Sequence, residues 1–320
     1  MSLAAPASTG TAAPARPPRR RGGSGRHRAW IPLLFISPWL VGFLVFMAYP
    51  VVYTGYLSLT DYDVINDPTF LGLDNYRELV SDEKVMLALR NTFVYTLMSV
   101  PAQLVFSLVL ALLLQRAGRA AGFFRTAFFL PKMTPPVAVG VLLLMLLNGQ
   151  SGLLNELLGW FGINGPNWTT DPDWVKPGLV VTSLWTVGSS VIILLAALQQ
   201  VPDELLDAAR VDGASWWRRL WHVVLPIISP TIYFIVVVDT IASLQSFTEA
   251  YTAFFGAGNT TYSNDAALFY AIYLFQQAFE FLHMGYASAM AVLLFAIVMV
   301  VTAVQVMLSR RYVHYTGGAR

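Results

Sequence analysis

The stretch "DAARVDGASWWRRLWHVVLP", Asp207 to Pro226, is charged and interrupted by a glycine. It nevertheless lies between two apolar runs, "LVVTSLWTVGSSVIILLAAL" (179–198) and "IISPTIYFIVVVDTIASL" (227–244). Its local signals divide it in two. Pro202 followed by Asp203 and Glu204 suits a first helical turn, where acids meet the positive end of the helix dipole. Ala208 and Ala209 keep one face of that helix thin, and Asp212-Gly213 ends it. Ser215 caps a second short helix. There Trp217, Leu220, Trp221 and Val224 recur at i, i+3, i+4 and i+7, an apolar stripe that leaves Arg218, Arg219 and His222 to one side. Pro226 opens the next apolar run. The stretch reads as two short helices at an angle, projecting from a membrane with a small-residue face.

The rest of the chain supplies that membrane. Of 320 residues, 56% are hydrophobic and 12% charged, against about 25% charged in a soluble domain. The expected fold is all-α and polytopic, with six spans near 30–57, 89–114, 123–147, 177–199, 224–246 and 285–308, each about the length a bilayer requires. Residues 1–28 lack aromatic residues and cannot bury enough apolar surface to order themselves. They read as a disordered basic tail before a membrane domain over 29–315, with a short tail at 316–320. Arg19-Arg20-Arg21 imitates the start of a signal peptide, but the run from Trp30 to Tyr49 is too long for one and reads as an uncleaved first span. With six spans, fifteen Lys/Arg residues fall on the side of both termini and four on the other, with Lys132 inside a span. That asymmetry predicts cytoplasmic termini, a cytoplasmic 200–223 loop, and outer loops at 59–88 and 148–176, the latter anchored by Trp160, Trp168 and Trp174. A net charge of +2 argues against a nucleic-acid partner; membrane lipid is the expected surrounding.

The opening stretch resembles the EAA loop of bacterial ATP-binding cassette importer permeases, whose motif runs Glu-Ala-Ala, three residues, Gly, nine residues, Ile-x-Leu-Pro. Here it reads Asp207-Ala208-Ala209, Gly213 and Val223-Val224-Leu225-Pro226, with Asp for Glu and Val for Ile. Further stretches resemble the carbohydrate-uptake branch, similar to maltose and glycerol-phosphate permeases: "YPVVYTGYLSLTDY", "FLGLDNYRELV", "ALRNTFVYT", "FFRTAFFLP" and "SGLLN". The resemblance implies an inner-membrane permease, not an enzyme, whose 202–224 loop couples to a separate ATPase through Asp207, Ala208, Ala209, Asp212, Gly213, Leu225 and Pro226. It implies an ATPase dimer that binds ATP and magnesium, a second homologous permease, an extracytoplasmic solute-binding protein and a carbohydrate substrate, with no cofactor in this chain. The chain carries no Walker A pattern.

In that family the middles of spans four and five line the substrate pocket. The pocket candidates are Trp185, Thr186 and Ser189 in span four and Asp239, Ser243, Gln245 and Ser246 in span five. An Asp at a helix centre costs about 2.5–3.5 kcal/mol to insert, so Asp239 is expected to face a cavity or a partner. Asp239, Ser243 and Ser246 share a helical face, and rings with hydroxyl and amide groups suit a sugar. The same serines also suit helix-to-helix packing. Lys132 is expected to snorkel toward the interface. His27, His222, His283 and His314 show no ligand spacing, so no metal site is expected. Two alternatives stay open: a glycerol-phosphate or polyol substrate on the same machinery, and an ion-coupled secondary transporter working through Asp239.

Overall fold

The computed structural model describes residues 30–255 and 264–312, so the tail at 1–28, the segment 316–320, His27 and His314 lie outside the described residues. The chain forms two compact units, 1–51 and 52–320. The first holds α1 (Trp30–Phe43), with Pro38 inside it, and a π turn at Leu44–Ala48 that leads into α2 (Tyr49–Leu57).

In the second unit a short antiparallel pair, β1 (Thr60–Asp61) and β2 (Thr69–Phe70), precedes α3 (Asp74–Ser81) and α4 (Glu83–Arg116). The all-α expectation is thus amended by one two-residue strand pairing. Asn75 is why this segment is ordered: its buried amide donates to the carbonyls of Ser58 and Thr60 at 3.0 and 2.9 Å. Helix α4 starts where Asp82 caps the N–H groups of Lys84 and Val85 and ends on Arg116. Its 34 residues span about 51 Å, so it reaches well past a hydrocarbon layer of about 30 Å. It packs against α8 (Pro172–Ser183), α9 (Gly188–Leu198) and α12 (Leu225–Leu244).

Between α4 and α8 run α5 (Ala121–Phe129), α6 (Pro136–Leu146) and α7 (Leu153–Trp160). After α9 come α10 (Asp203–Val211) and α11 (Trp216–Arg219), then a π turn at Leu220–Val224 that feeds α12. The chain closes with α13 (Thr248–Phe254), α14 (Asn264–Ala267), α15 (Tyr270–Phe275), a π turn at Gln276–Glu280, and α16 (Met284–Tyr312).

Among the described residues, four helical runs are long and apolar enough to cross a membrane: 34–57, 83–116, 216–254 and 284–309. Two bent pairs raise the number to six if each is one span. The expected third and fourth spans are therefore not straight helices. The first pair turns by 98° between Met133 and Pro136. The residue before a proline is pushed out of the α region, and both Thr134 and Pro135 precede one; each is extended, with ψ of 132° and 134°. The second pair turns by 54° between Thr186 and Gly188. Here the hydroxyls of Ser183 and Thr186 donate to the carbonyls of Val180 and Ser183 at 2.7 and 3.0 Å, a local competition that loosens the helical ladder.

Lipid-bathed helices gain little from hydrophobic burial against one another, so close approach at small residues matters more. A Cβ on Gly140 of α6 would stand 2.8 Å from the Thr252 Cβ and 2.9 Å from the Glu249 carbonyl of α13. One on Gly188 would collide with the backbone of Phe128 and Phe129. Trp168, expected as an interfacial anchor, is instead a core residue, 7% exposed, whose indole N–H donates to Asn155 Oδ1 at 2.7 Å. Trp160 is exposed as expected.

Candidate functional site

Three interruptions of helix geometry meet at one cavity of about 250 Å3. Lys132 enters from the proline break, Thr186 from the turn before α9, and Gln245, Ser246 and Phe247 from the gap between α12 and α13. A helix break is the one place in a span where the backbone itself can face a polar site.

Of the sequence candidates, Thr186, Asp239, Ser243, Gln245 and Ser246 line this cavity together. Asp239 Oδ2 is buried and has no hydrogen-bond partner among the described residues. Ser243 is buried and shares a hydrogen bond with Ser99 of α4 at 3.0 Å, so it packs two helices while bordering the cavity.

Trp185 and Ser189 do not border this cavity. Trp185 lies in the tight turn over Leu184–Thr186 and is 43% exposed. Lys132, expected to snorkel, instead borders the cavity together with Asp239. The sequence reading also missed Tyr95, Gln103, Ser183 and Glu249, all on the cavity wall. Gln103 Nε2 donates to Ser183 Oγ at 3.1 Å, tying α4 to α8. The available signal for Lys132 was its place between Pro131 and Pro135-Pro136, a proline-broken span being a pointer to a binding site. The wall carries one cation, Lys132, and two acids, Asp239 and Glu249, among rings, hydroxyls and amides. That set suits a polyhydroxyl ligand, whose hydroxyls can donate to the acids.

The second candidate region is the 202–224 stretch. Helix α10 has no buried residue. It ends in a Schellman motif: Gly213 N–H donates to the Arg210 carbonyl at 3.0 Å and Ala214 N–H to the Ala209 carbonyl at 2.9 Å, with Gly213 at φ +73°. Among the described residues nothing lies within 4 Å of a Cβ at Gly213, so the glycine answers to its dihedral angle and not to crowding by them. Ala208, Ala209 and Asp212 face Val223 and Pro226 across a shallow groove. Asp207 stays outside it and pairs with Arg210 at 2.6 Å. Leu225 turns toward the core around Val191, Leu194 and Ile228.

The expected stripe of Trp217, Leu220, Trp221 and Val224 is split. Leu220 is buried while Trp217 and Trp221 are each 63% exposed. The residues that border the pocket beside the end of α4 are Trp216, Leu220 and Val224, the last two in the π turn. Arg116 lies over the Trp216 ring, 5.2 Å from its centroid.

Comparison with known proteins follows this geometry. Residues 103–314 match the family described as binding-protein-dependent transport system inner membrane component. The chain is 38% identical to a probable ABC transporter permease protein, YesP, of Bacillus subtilis strain 168, over 88% of this chain and 91% of that one. It is 31% identical to the sulfoquinovosyl glycerol transport system permease protein SmoG of Agrobacterium fabrum, over 88% and 90%. Among solved structures it superposes on a bacterial ABC transporter involved in the import of the acidic polysaccharide alginate, with a TM-score of 0.76 at 23% identity over 89% of this chain and 96% of that one, a likeness of fold. The chain therefore belongs to the binding-protein-dependent transport system inner membrane components, the permease subunits of ABC importers, and is a transport component rather than an enzyme.

Proposed function

We propose that this permease moves a carbohydrate, and that its substrate passes through the cavity at the three helix breaks. The observation that carries this reading is the unpaired, buried Asp239 oxygen on a wall of hydroxyls, amides and rings. In this reading the bent pairs are the third and fourth of six spans, and the Lys/Arg asymmetry sets both termini in the cytoplasm. The 202–224 loop docks on a separate ATPase, which alone binds ATP and magnesium. A second permease of similar fold completes the pathway, and a solute-binding protein delivers the sugar from outside. The transport of sulfoquinovosyl glycerol by a relative supports a glycosidic substrate. ATPase closure draws the coupling loops together, the spans rotate, and the cavity changes sides. The test is uptake of a panel of labelled oligosaccharides into vesicles holding the co-purifying subunits. ATP-dependent uptake of one of them is expected; uptake driven by a proton gradient without ATP would overturn the reading. Because the chain has no cysteine, single cysteines at Asn167 and Ser215 test sidedness, with outside and inside labelling expected respectively.

A second reading, an anionic substrate such as a glycerol phosphate, is favoured by Lys132 in the cavity. The two acids on the same wall weigh against it, so a neutral polyol or sugar remains the primary reading.

A further inference from the structure

We propose that the pocket between the end of α4, the end of α9 and helices α10 and α11 binds the phosphate headgroup of an anionic phospholipid. The pocket is separate from the substrate cavity and has a volume of about 310 Å3. Arg116, Arg210 and Arg219 border it, with Gln115 beside them and Asp203 as the one acid. These three guanidinium groups differ in how far they are already engaged. Arg210 is held by Asp207 at 2.6 Å. Arg116 has its Cζ 5.2 Å from the Trp216 ring centroid, a cation–π contact that holds its charge at this pocket. Neither Arg116 nor Arg219 forms an ion pair among the described residues, although Asp203 borders the same pocket. Two forked, permanently charged donors around a space with one acid match a phosphate, whose oxygens accept in that geometry.

Two features select a lipid over a free anion. The remaining wall is apolar, with Leu112, Leu198 and Leu206, which suits an acyl chain entering beside the headgroup. The pocket also lies at the end of a helix long and apolar enough to cross a membrane, and its Trp216 touches the exposed Trp217 ring, 4.6 Å between centroids, indoles being enriched at the headgroup level of a bilayer. A basic pocket between helices at that depth is a recognised form of lipid site. The inference does not depend on the substrate or on which subunit hydrolyses ATP.

The test uses the full chain in detergent together with its co-purifying subunits. Retention of phosphatidylglycerol is titrated by native mass spectrometry, with phosphatidylcholine and inorganic phosphate as separate arms. The wild type is expected to retain phosphatidylglycerol selectively. Arg116→Gln/Arg219→Gln is expected to weaken that retention about thirtyfold, the worth of two cation–headgroup contacts. Arg125→Gln, an arginine outside the pocket, is expected to keep it. Arg219→Gln alone provides a milder variant should the double one fold poorly, with an expected loss of about fivefold. Equal retention by wild type and the arginine variants overturns the proposal. So does equal binding of inorganic phosphate, which makes this a free-anion site. Retention by the isolated chain but not by the complex also overturns it, because a protein segment then fills the pocket.

Discussion

The Tyr286 hydroxyl donates to Asp82 Oδ2 at 2.8 Å, joining α16 to the first turn of α4 across 204 positions of sequence. Tyr273 donates to the same oxygen at 2.8 Å, while Asp82 Oδ1 accepts from the N–H groups of Lys84 and Val85. Burial alone would raise the Asp82 pKa, but the two tyrosine and two backbone hydrogen bonds outweigh it and hold it below the ordinary carboxylate value. The Tyr273 proton is correspondingly held, its pKa pushed up to about 12 by burial and by Asp82. A carboxylate depressed in the folded state contributes stability that is present above its unfolded pKa, about 3.9, and is lost as pH falls through the folded value. Asp82→Asn is therefore expected to destabilise the protein by about 1–3 kcal/mol at neutral pH. The gap between variant and wild type should close below about pH 4. Thermal melts of both proteins in detergent from pH 3 to 8 check this.

Gly140→Ala places a methyl group against the Thr252 Cβ and the Glu249 carbonyl. Helices α6 and α13 must separate, at a cost of about 1–3 kcal/mol, and Glu249 leaves its place on the cavity wall. Transport should fall with stability. Thr252→Ala in the same chain should not rescue it, because the Thr252 Cβ position and the Glu249 carbonyl both remain. Uptake and melting of the single and double variants provide the comparison.

Gly213→Ala meets no neighbour among the described residues, yet it forces φ +73° on a residue with a Cβ, at about 1–2 kcal/mol. The Schellman turn should loosen. The expected outcome is normal membrane insertion with reduced uptake, and a milder loss for Gly213→Asn, which tolerates left-handed backbone. Wild-type uptake by both variants would remove the angle between α10 and α11 from the coupling role.

Asp239→Asn keeps the shape of the side chain and weakens its acceptor strength. A hydrogen bond to a charged acceptor contributes about 1.5–3 kcal/mol, so apparent affinity for substrate should drop about ten- to a hundredfold. Because Asp239 Oδ2 has no partner among the described residues, stability should change little. A large fall in melting temperature with unchanged substrate dependence would make Asp239 structural.

The sequence made the membrane class and the 202–224 helix–turn–helix legible because both rest on local signals: apolar length, a proline with acids at a helix start, and a glycine at its end. Asp239 and Ser243 were also legible, since they follow one helical phase of α12, while Ser246 reaches the same cavity from the break after it. What was lost lay beyond a break in that phase. Trp185 and Ser189 were named from the middle of span four, where the structure has the turn over Leu184–Thr186 between α8 and α9. Lys132 was read within a continuous span, whereas Thr134 and Pro135 hold extended backbone there. Trp168 looked like an anchor because its partner, Asn155, is thirteen residues away and no periodicity announces the contact.

The π turn at Leu220–Val224 holds one residue more than an α turn would. A wide turn rotates less per residue, so its five residues complete about the rotation that four make in an α helix, and the extra residue is absorbed without turning α11 against α12. Deleting a single residue from this turn, with no other change, should convert it to α geometry and leave α10 and α11 pointing where they do now. The joint thus takes up a change of length that an unbroken α helix would pass on as a rotation of about 100°.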